Sequence, residues 1–370
     1  PIPERSSKMN KNRLYIDFHV LQTVPPSCVN RDDTGSPKTA VYGGVNRARV
    51  SSQAWKRAMR ILFEEDLLDP AQVGKRTKNV VEMVAEEIAL LNPALNCAKL
   101  AEKALKSAGV DIGPEKESGA VKAKALFFMS RDQAKALAKL AAEDEKDTKA
   151  YKAAVLAAPS VDMVLFGRMV ASDASLNYDA AAQVAHAIST HAVQTEYDYF
   201  TAVDDLSPKE NAGAGHLGTI EFNSSTLYRY ATVNAMELAA HMNPEETAAA
   251  VRTFAEAFIR SMPTGKQNSF ANRTLPDAVY VAVRRDQPVN LCGAFERAVR
   301  PEDGSGCVAP SKKQLTAYAQ QMYRDYTGDP VQAFVIGTGL DALAPAMGLN
   351  ALLEQLADAV KTQLSGSEVE

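Results

Sequence analysis

The sequence predicts an α+β protein in which a helical block interrupts a strand-containing core. Segments rich in Ala, Leu, Lys and Glu run from about Glu64 to Ser160, and β-rich segments lie on both sides of them. Further on, EYDYFTAVDDL and TIEFNSSTLYRYATVN flank a glycine-containing loop at Asn211–Gly218, a pattern typical of a long β-hairpin with an extended tip. With 370 residues, 46% of them hydrophobic, the chain is long enough for one elaborated domain or two.

The first residues contain no apolar stretch of the kind that signal peptides require. We expect Met9 to be the natural start and residues 1–8 to be a remnant of cloning. From Leu14 to Leu21 apolar and polar residues alternate, which predicts a strand with one buried face. The four cysteines are scattered without a CxxC pair, so we expect neither disulfides nor a zinc cluster, and a reducing cytoplasm fits.

A local concentration of positive charge follows this strand. The segment from Val41 to Arg60 contains five cations and no acid, although the whole chain has 41 Lys and Arg against 45 Asp and Glu. The five cations are Arg47, Arg49, Lys56, Arg57 and Arg60. Such a segment suits a polyanion, because phosphate contacts supply affinity without sequence preference.

The spacing within this segment predicts an amphipathic helix. Ser51 or Ser52 can act as its N-cap. Beyond the cap, a polar face and an apolar face each repeat at i, i+3, i+4 and i+7. The polar face holds Gln53, Lys56, Arg57 and Arg60, and the apolar face holds Trp55, Ala58, Met59 and Leu62. Upstream, Arg47 and Arg49 lie two residues apart, which predicts that both project from one side of an extended arm.

The remaining elements alternate in type along the chain. In order, we predict a strand at Ser160–Met169, a helix at Asp179–Thr190, the hairpin, a helix at Pro244–Ser261, a strand at Ala278–Arg284, helices at Asn290–Arg300 and Ser311–Tyr326, a strand at Val331–Gly337 and a helix at Leu349–Leu364.

Three further motifs each allow two interpretations. GAGHLG at Gly213–Gly218 matches GxGxxG, but strand-like residues follow it, so a flexible hairpin loop is favoured over a dinucleotide site. The pairs Asp32-Asp33 and Asp204-Asp205 could hold a divalent cation or simply order a turn. The aromatic residues Tyr197, Tyr199 and Phe200 could pack in a core or stack on bases.

The five histidines follow no HExxH pattern. We expect structural or surface positions for them, including His186 and His191, which are five residues apart. Their use as a general base would depend on geometry that the sequence does not specify.

The basic segment and its surroundings resemble a known family. PSCVNRDD and then YGGVNRARVSSQAWKRAMR closely resemble the start of the CasC family, the guide-RNA-binding backbone subunit of the type I-E CRISPR Cascade complex. Further similar segments follow in the family order: HAISTHAVQTEYDYFTAVDDL, GHLGTIEF, LYRYATVN, GKQNSF and GAFERAV. They cover the N-terminal and C-terminal thirds and the hairpin, whereas the helical insertion matches only in kind.

The resemblance implies a modified RRM (ferredoxin-like) palm, an inserted helical fingers domain and a β-hairpin thumb. The boundaries are residues 9–63, 166–192 and 225–370 for the palm, 64–165 for the fingers and 193–224 for the thumb. It also implies a non-catalytic, multi-copy subunit of the prokaryotic cytoplasm, without cofactor or membrane attachment. Copies would stack in a helical filament on CRISPR RNA, together with other Cascade subunits, and would support pairing of the guide with target DNA.

The resemblance further implies which residues bind. Contacts with the guide backbone fall on Arg31, Arg49, Ser51, Gln53, Lys56, Arg57 and Arg60. The thumb positions match Tyr199, Phe200 and Thr201, and the nearby wedge methionine matches Met169. On the DNA side, Lys38 matches a family lysine, and Arg297 and Arg300 fall where the family has lysines. Pro301 and Glu302 follow where the family has a third basic residue, which weakens the DNA part of the match.

Two other functions are compatible with the residues. One is a metal-dependent endoribonuclease that uses Asp32, Asp33 or Asp204 to cleave CRISPR RNA. The other is a general single-stranded RNA-binding protein outside defence. Cleavage of RNA in the presence of magnesium would favour the first, and equal binding of unrelated RNA would favour the second.

Overall fold

The computed structural model describes residues 13–202, 216–301, 304 and 306–366. The strands are β1 (Tyr15–Ser27), β2 (Thr39–Tyr42), β3 (Val45–Val50), β4 (Lys75–Thr77), β5 (Ile112–Pro114), β6 (Val121–Ala123), β7 (Phe127–Met129), β8 (Ala182–Val184), β9 (Ala187–Ser189), β10 (Glu196–Ala202), β11 (His216–Asn234), β12 (Ala278–Arg284) and β13 (Gln332–Ile336).

The helices are α1 (Ser52–Leu62), α2 (Val80–Leu91), α3 (Cys97–Ser107), α4 (Arg131–Ala142), α5 (Thr148–Leu156), α6 (Val161–Phe166), α7 (Ala235–Ala239), α8 (Pro244–Arg260), α9 (Gln267–Phe270), α10 (Val308–Met322) and α11 (Leu349–Ser365). Single π-helical turns extend α1 and α10, at Phe63–Leu67 and Tyr323–Thr327. Among the described residues, no helix is long and apolar enough to cross a bilayer.

The chain folds as two compact units. The first consists of Pro1–Met59, Val184–Met236 and Thr247–Glu370, and the second of Arg60–Gln183 and Glu237–Glu246. The boundary near the N-terminus falls within α1, so this helix contributes residues to both units.

The first unit is built on an antiparallel sheet. Its strand order is β13-β12-β1-β11-β9-β3-β2, and β10 pairs with the first half of β11. The long strand β11 pairs with β10 up to Phe222 and with β1 from Asn223 onward, and β9 pairs with its other edge at Leu227 and Tyr228. Mixed α and β structure with a hairpin therefore agrees with the predicted fold class at this level.

The central strand β1 is buried on both faces. On one face Phe18 packs against Phe254 of α8, with ring centroids 5.4 Å apart. On the other face His19 Nδ1 lies 2.9 Å from the Tyr228 hydroxyl, and the Tyr230 hydroxyl donates to Asp17 Oδ1 at 2.9 Å. The prediction of a single buried face is wrong, because the polar side chains of β1 form a buried hydrogen-bonded network instead of facing water.

Several elements lie close to their predicted positions. Strands β12 and β13 and helices α8, α10 and α11 are confirmed to within a few residues. The predicted strand at Ser160–Met169 is wrong, because this segment forms α6. Its apolar run is short and buried, and periodicity does not separate strand from helix in such runs.

Two predicted helices are also wrong. Asp179–Thr190 has helix-favouring alanines but supplies β8 and β9, because β9 closes the gap between β11 and β3. Asn290–Arg300 contains only a short 3₁₀ helix at Leu291–Phe295.

The second unit is mainly helical, as predicted for the block from Glu64 to Ser160. Helices α2 to α5 enclose an apolar core that includes Val84, Ile88, Leu105 and Leu137. Two ribbons, β4 with β7 and β5 with β6, were not predicted, because three-residue strands are too short to show alternation.

Candidate nucleic-acid interface

The start of α1 is anchored to the loop that precedes β2. Ser51 Oγ accepts a hydrogen bond from Ala54 N at 3.3 Å, which confirms the predicted N-cap. The amide of Ser51 donates to Asn30 Oδ1 at 2.9 Å, and the carbonyl of Asn30 accepts from Lys38 N at 2.8 Å. These bonds hold the loop, with its cations, beside the positive end of the helix.

Helix α1 has the predicted apolar and polar faces. Trp55 and Met59 are buried, with the Trp55 side chain 1% exposed, whereas Gln53 and Arg57 are exposed. No carboxylate of the described residues pairs with the Arg57 guanidinium. Lys56 is half-buried, and this burial lowers the pKa of its ammonium group.

The apolar face of α1 rests on a buried arginine of the sheet. The guanidinium carbon of Arg229, in β11, lies 3.7 Å from the centroid of the Trp55 ring. Arg229 also donates to Gln22 Oε1 at 2.6 Å and to the carbonyl of Phe258. Burial lowers the pKa of Arg229 to about 9. This stack fixes the helix on the sheet and leaves its polar face outward.

The extended arm supplies one accessible cation rather than two. Arg47 is fully buried and donates to the carbonyls of Ser189 (2.9 Å), Phe295 (2.8 Å) and Tyr42 (3.1 Å). The prediction that Arg47 projects from the arm beside Arg49, where it could meet a polyanion, is therefore wrong. Gly43, with φ of +59°, allows a tight turn against the Glu296 carbonyl, where any Cβ would overlap, and this turn encloses Arg47.

Arg49 lies within a group of positive charges. Its Nε donates to the Thr39 carbonyl at 3.0 Å, and its amide donates to the Lys38 carbonyl at 2.9 Å. Its Nη1 lies 3.1 Å from Nδ1 of His186. We call Lys38, Arg49, Gln53, Lys56 and Arg57 the basic surface. Cations held together on rigid backbone can bind phosphate oxygens with little further ordering cost.

Arg60, at the C-terminal end of α1, has partners within the second unit. Its Nε lies 3.1 Å from Oδ2 of Asp162, a fully buried carboxylate, and its guanidinium carbon lies 4.6 Å from the Phe128 ring centroid. Asp162 also accepts from Gly74 N at 2.9 Å. The side chain predicted to contact phosphate is thus already paired with an acid, unlike Arg57.

The substitution Asp162→Ala should destabilise the second unit. It removes the partner of Arg60 and leaves the buried Gly74 amide without its acceptor, so we expect a loss of about 3 kcal/mol in the free energy of unfolding. Urea unfolding followed by circular dichroism measures this loss. Asp132→Ala, which removes an exposed carboxylate of α4, should change it by less than about 0.5 kcal/mol. Equal unfolding curves for the two variants would contradict the assignment.

Near the basic surface, Arg31 is exposed and Asp32 orders a turn. Oδ1 of Asp32 accepts from Thr34 N at 2.9 Å and from Ser36 N at 3.0 Å, and the hydrogen bond from the Thr34 hydroxyl is the main reason that its pKa is lowered. Within the described ranges, no group of three or more His, Cys, Asp or Glu residues could hold a metal ion. Asp204 and Asp205 lie outside the described residues.

The hairpin presents aromatic side chains on both faces of β10. Tyr199 pairs with Thr219 across the ribbon and is 65% exposed, and Tyr197 lies on the same face. Phe200 lies on the opposite face with its ring against Gly218, where a Cβ would overlap the ring. Thr201 is exposed beside Tyr199 on the strand. The three aromatic residues therefore do not form one cluster.

The predictions associated with the hairpin also included Met169 and the GAGHLG motif. Met169 belongs to the second unit and is 84% exposed. Of the GAGHLG motif, His216 to Gly218 belong to β11, so its second half is strand rather than loop, and its first three residues lie outside the described residues.

The residues predicted to face DNA belong to two segments of the first unit, one before β2 and one after the Leu291–Phe295 turn. Lys38 lies among the cations predicted to bind the guide, because it is bonded to Arg49 through the backbone. Arg297 and Arg300 are both exposed and follow the Leu291–Phe295 turn, where the Arg297 carbonyl accepts from Gln314 Nε2 at 3.2 Å. Glu302 lies outside the described residues.

Comparison with known proteins identifies relatives over nearly the whole chain. The model of a family described as CT1975-like protein matches residues 16–361. A chain of a solved structure described as a CRISPR RNA-guided surveillance complex, pre-nicking, is 34% identical, with a TM-score of 0.76; the match covers 94% of this chain and 100% of that chain. A second, from a CRISPR RNA-guided surveillance complex, is 28% identical, with a TM-score of 0.70 and coverage of 93% and 99%. Among curated proteins, none matches significantly.

Proposed function

We propose, since this chain belongs to the family of CT1975-like proteins, that it is a CRISPR-RNA-binding subunit of a CRISPR surveillance complex. The observation that carries the proposal is the basic surface, in which Arg49 lies just before the N-terminus of α1 and Arg57 lies on the exposed face of the same helix, which Trp55 fixes on the sheet. In guided complexes, base pairing recognises the target sequence. The protein therefore needs to hold backbone and shape, which a surface of cations does.

At a finer level, we propose a type I-E CasC-like backbone subunit of the prokaryotic cytoplasm. Several copies would stack on the spacer part of the RNA, with the hairpin as thumb, the second unit's helices as fingers and the sheet of the first unit as an RRM-like palm. What supports this is that the CasC-like segments fall on β3–α1, on β9–β10 and on β11. In this arrangement Tyr199, Phe200 and Thr201 would close over the RNA on a neighbouring copy. Lys38, Arg297 and Arg300 would face the paired DNA strand.

The test is the double variant Lys56→Ala with Arg57→Ala. Removing two charge-assisted contacts should weaken binding of guide RNA roughly 100-fold at low salt. It should also make the slope of log K against log salt concentration less steep by about 1.4, which is about 0.7 for each phosphate contact with a single strand. Fluorescence anisotropy of labelled guide RNA across a salt series measures both quantities.

A matched control is Lys139→Ala with Lys149→Ala. These lysines are exposed on α4 and α5 of the second unit, and their removal changes the net charge by the same amount. We expect the control to keep the affinity and the salt slope of the unchanged protein. If the double variant at α1 behaves like this control, the basic surface does not bind the guide.

We also propose that the subunit is not itself a nuclease. In support, the carboxylate of Asp32 is already used by the amides of its own turn. Labelled guide RNA incubated with the protein and magnesium or manganese should stay intact. Cleavage that disappears in Asp32→Ala, Asp33→Ala or Asp204→Ala would instead favour a metal-dependent endoribonuclease.

A further inference from the structure

His186 lies at the edge of the basic surface, a position that sequence reasoning did not identify. It immediately precedes β9, which pairs with β3 through Arg49–Ile188 and Val50–Ala187. One further step along this register brings His186 level with Ser51, the N-cap of α1. The histidine therefore stands at the positive end of the helix, and its side chain is exposed.

The charged groups that act on His186 are both cations. Arg49 of β3 approaches Nδ1 of the imidazole to 3.1 Å, and Lys38 acts from the segment before β2. A guanidinium can only donate, so the imidazole nitrogen that it meets must be the acceptor of a neutral ring. Partial desolvation of the otherwise exposed ring, and then the two cations, lower the pKa of His186. Among the described residues, no carboxylate offsets these charges at the ring.

An anion would change this balance. A phosphate bound between Arg49 and His186 accepts from the guanidinium and can accept a second hydrogen bond from a protonated imidazole. Its negative charge favours the imidazolium, and the proton comes from solvent. In the free protein the two cations disfavour a positive charge on His186, and a bound phosphate offsets that repulsion.

We propose that His186 is a further phosphate-binding residue of the guide-RNA site and that it takes up a proton when RNA binds. This inference rests on the proposed function, and it adds to it a residue and a dependence on pH. By linkage, affinity should rise as the pH falls through the pKa of the histidine in the complex, and should level off below its pKa in the free protein.

The experiment measures binding of a labelled oligouridylate to the full chain at about pH 5.5 and pH 8. Uridine does not titrate in this range, so proton uptake belongs to the protein. Each unit by which RNA raises the pKa of the histidine gives about a tenfold change in affinity. We expect the unchanged protein to bind about tenfold tighter at the lower pH, with a steeper salt slope.

Two variants isolate the histidine. His186→Gln should bind with the same affinity at both pH values, and His186→Arg should bind at pH 8 as tightly as the unchanged protein does at pH 5.5. His241→Gln, which removes another exposed histidine, should keep the full pH response. If His186→Gln keeps it as well, the inference is wrong while the proposed function stands. Failure of the unchanged protein to bind RNA at either pH would overturn both.

Discussion

Trp55→Ala is expected to lower the free energy of unfolding by about 3–5 kcal/mol, the range for truncation of a buried aromatic side chain. The loss has two parts. A cavity opens beneath α1, and the buried guanidinium of Arg229 loses the ring that lies 3.7 Å from it. Because the same ring fixes α1 on the sheet, RNA affinity should fall although no phosphate contact is removed. Thermal and urea unfolding by circular dichroism, together with RNA titration, measure the two effects.

Two controls separate burial from mere loss of an aromatic residue. Trp55→Phe keeps a ring under the helix and should cost less than half as much. Tyr199→Ala removes an exposed ring and should change the free energy of unfolding by less than about 0.5 kcal/mol. A Trp55→Ala variant as stable as Tyr199→Ala would show that the helix is not held by this contact.

Asp17→Asn is expected to make the protein lose stability steeply in mild acid. Burial raises the pKa of Asp17 to about 6 from 3.8, and burial lowers that of His19 to about 3 from 6.5. Between about pH 4 and 6 the folded chain thus holds a proton on Asp17, whereas the unfolded chain holds one on His19. The two contributions cancel. Without the Asp17 proton, the unfolded chain binds one proton more, and stability should fall by about 1.4 kcal/mol for each unit of decreasing pH.

The opposite variant should give the opposite slope. In His19→Gln the folded chain binds one proton more over the same range, so stability should rise by about 1.4 kcal/mol for each unit of decreasing pH. Unfolding by urea at several pH values gives these slopes, and their differences from the unchanged protein cancel the contributions of all other groups. Parallel curves for the three proteins would contradict the assignment of the two buried groups.

The sequence was sufficient where a pattern is local. The two faces of α1 follow from the 3.6-residue period, and its start follows from a serine that can accept from a free amide. The hairpin follows from strand-like segments on both sides of a glycine-containing loop. These features depend on neighbours within a few residues, so composition and spacing determine them.

The sequence was insufficient where distant partners decide. Nothing local distinguishes Arg47, whose guanidinium is bound by carbonyls more than a hundred residues away, from the exposed Arg57. The same holds for Arg60, whose partner Asp162 lies 102 residues further along the chain. It also holds for His186, which lies 137 residues after its partner Arg49. Strand pairing and helix packing between segments that are remote in the chain create these contacts, and neither follows from the spacing of neighbouring residues.

Trp55 is the only tryptophan of the chain, and it lies on the side of α1 that faces away from the basic surface. The protein therefore has a single tryptophan fluorophore, and bound RNA cannot touch it. A change in its emission or lifetime on adding RNA would report a shift of the helix on the sheet, whereas an unchanged signal with bound RNA would describe a rigid platform. Tryptophan fluorescence can thus distinguish RNA binding that moves α1 from RNA binding that leaves it in place, without a dye attached to the protein.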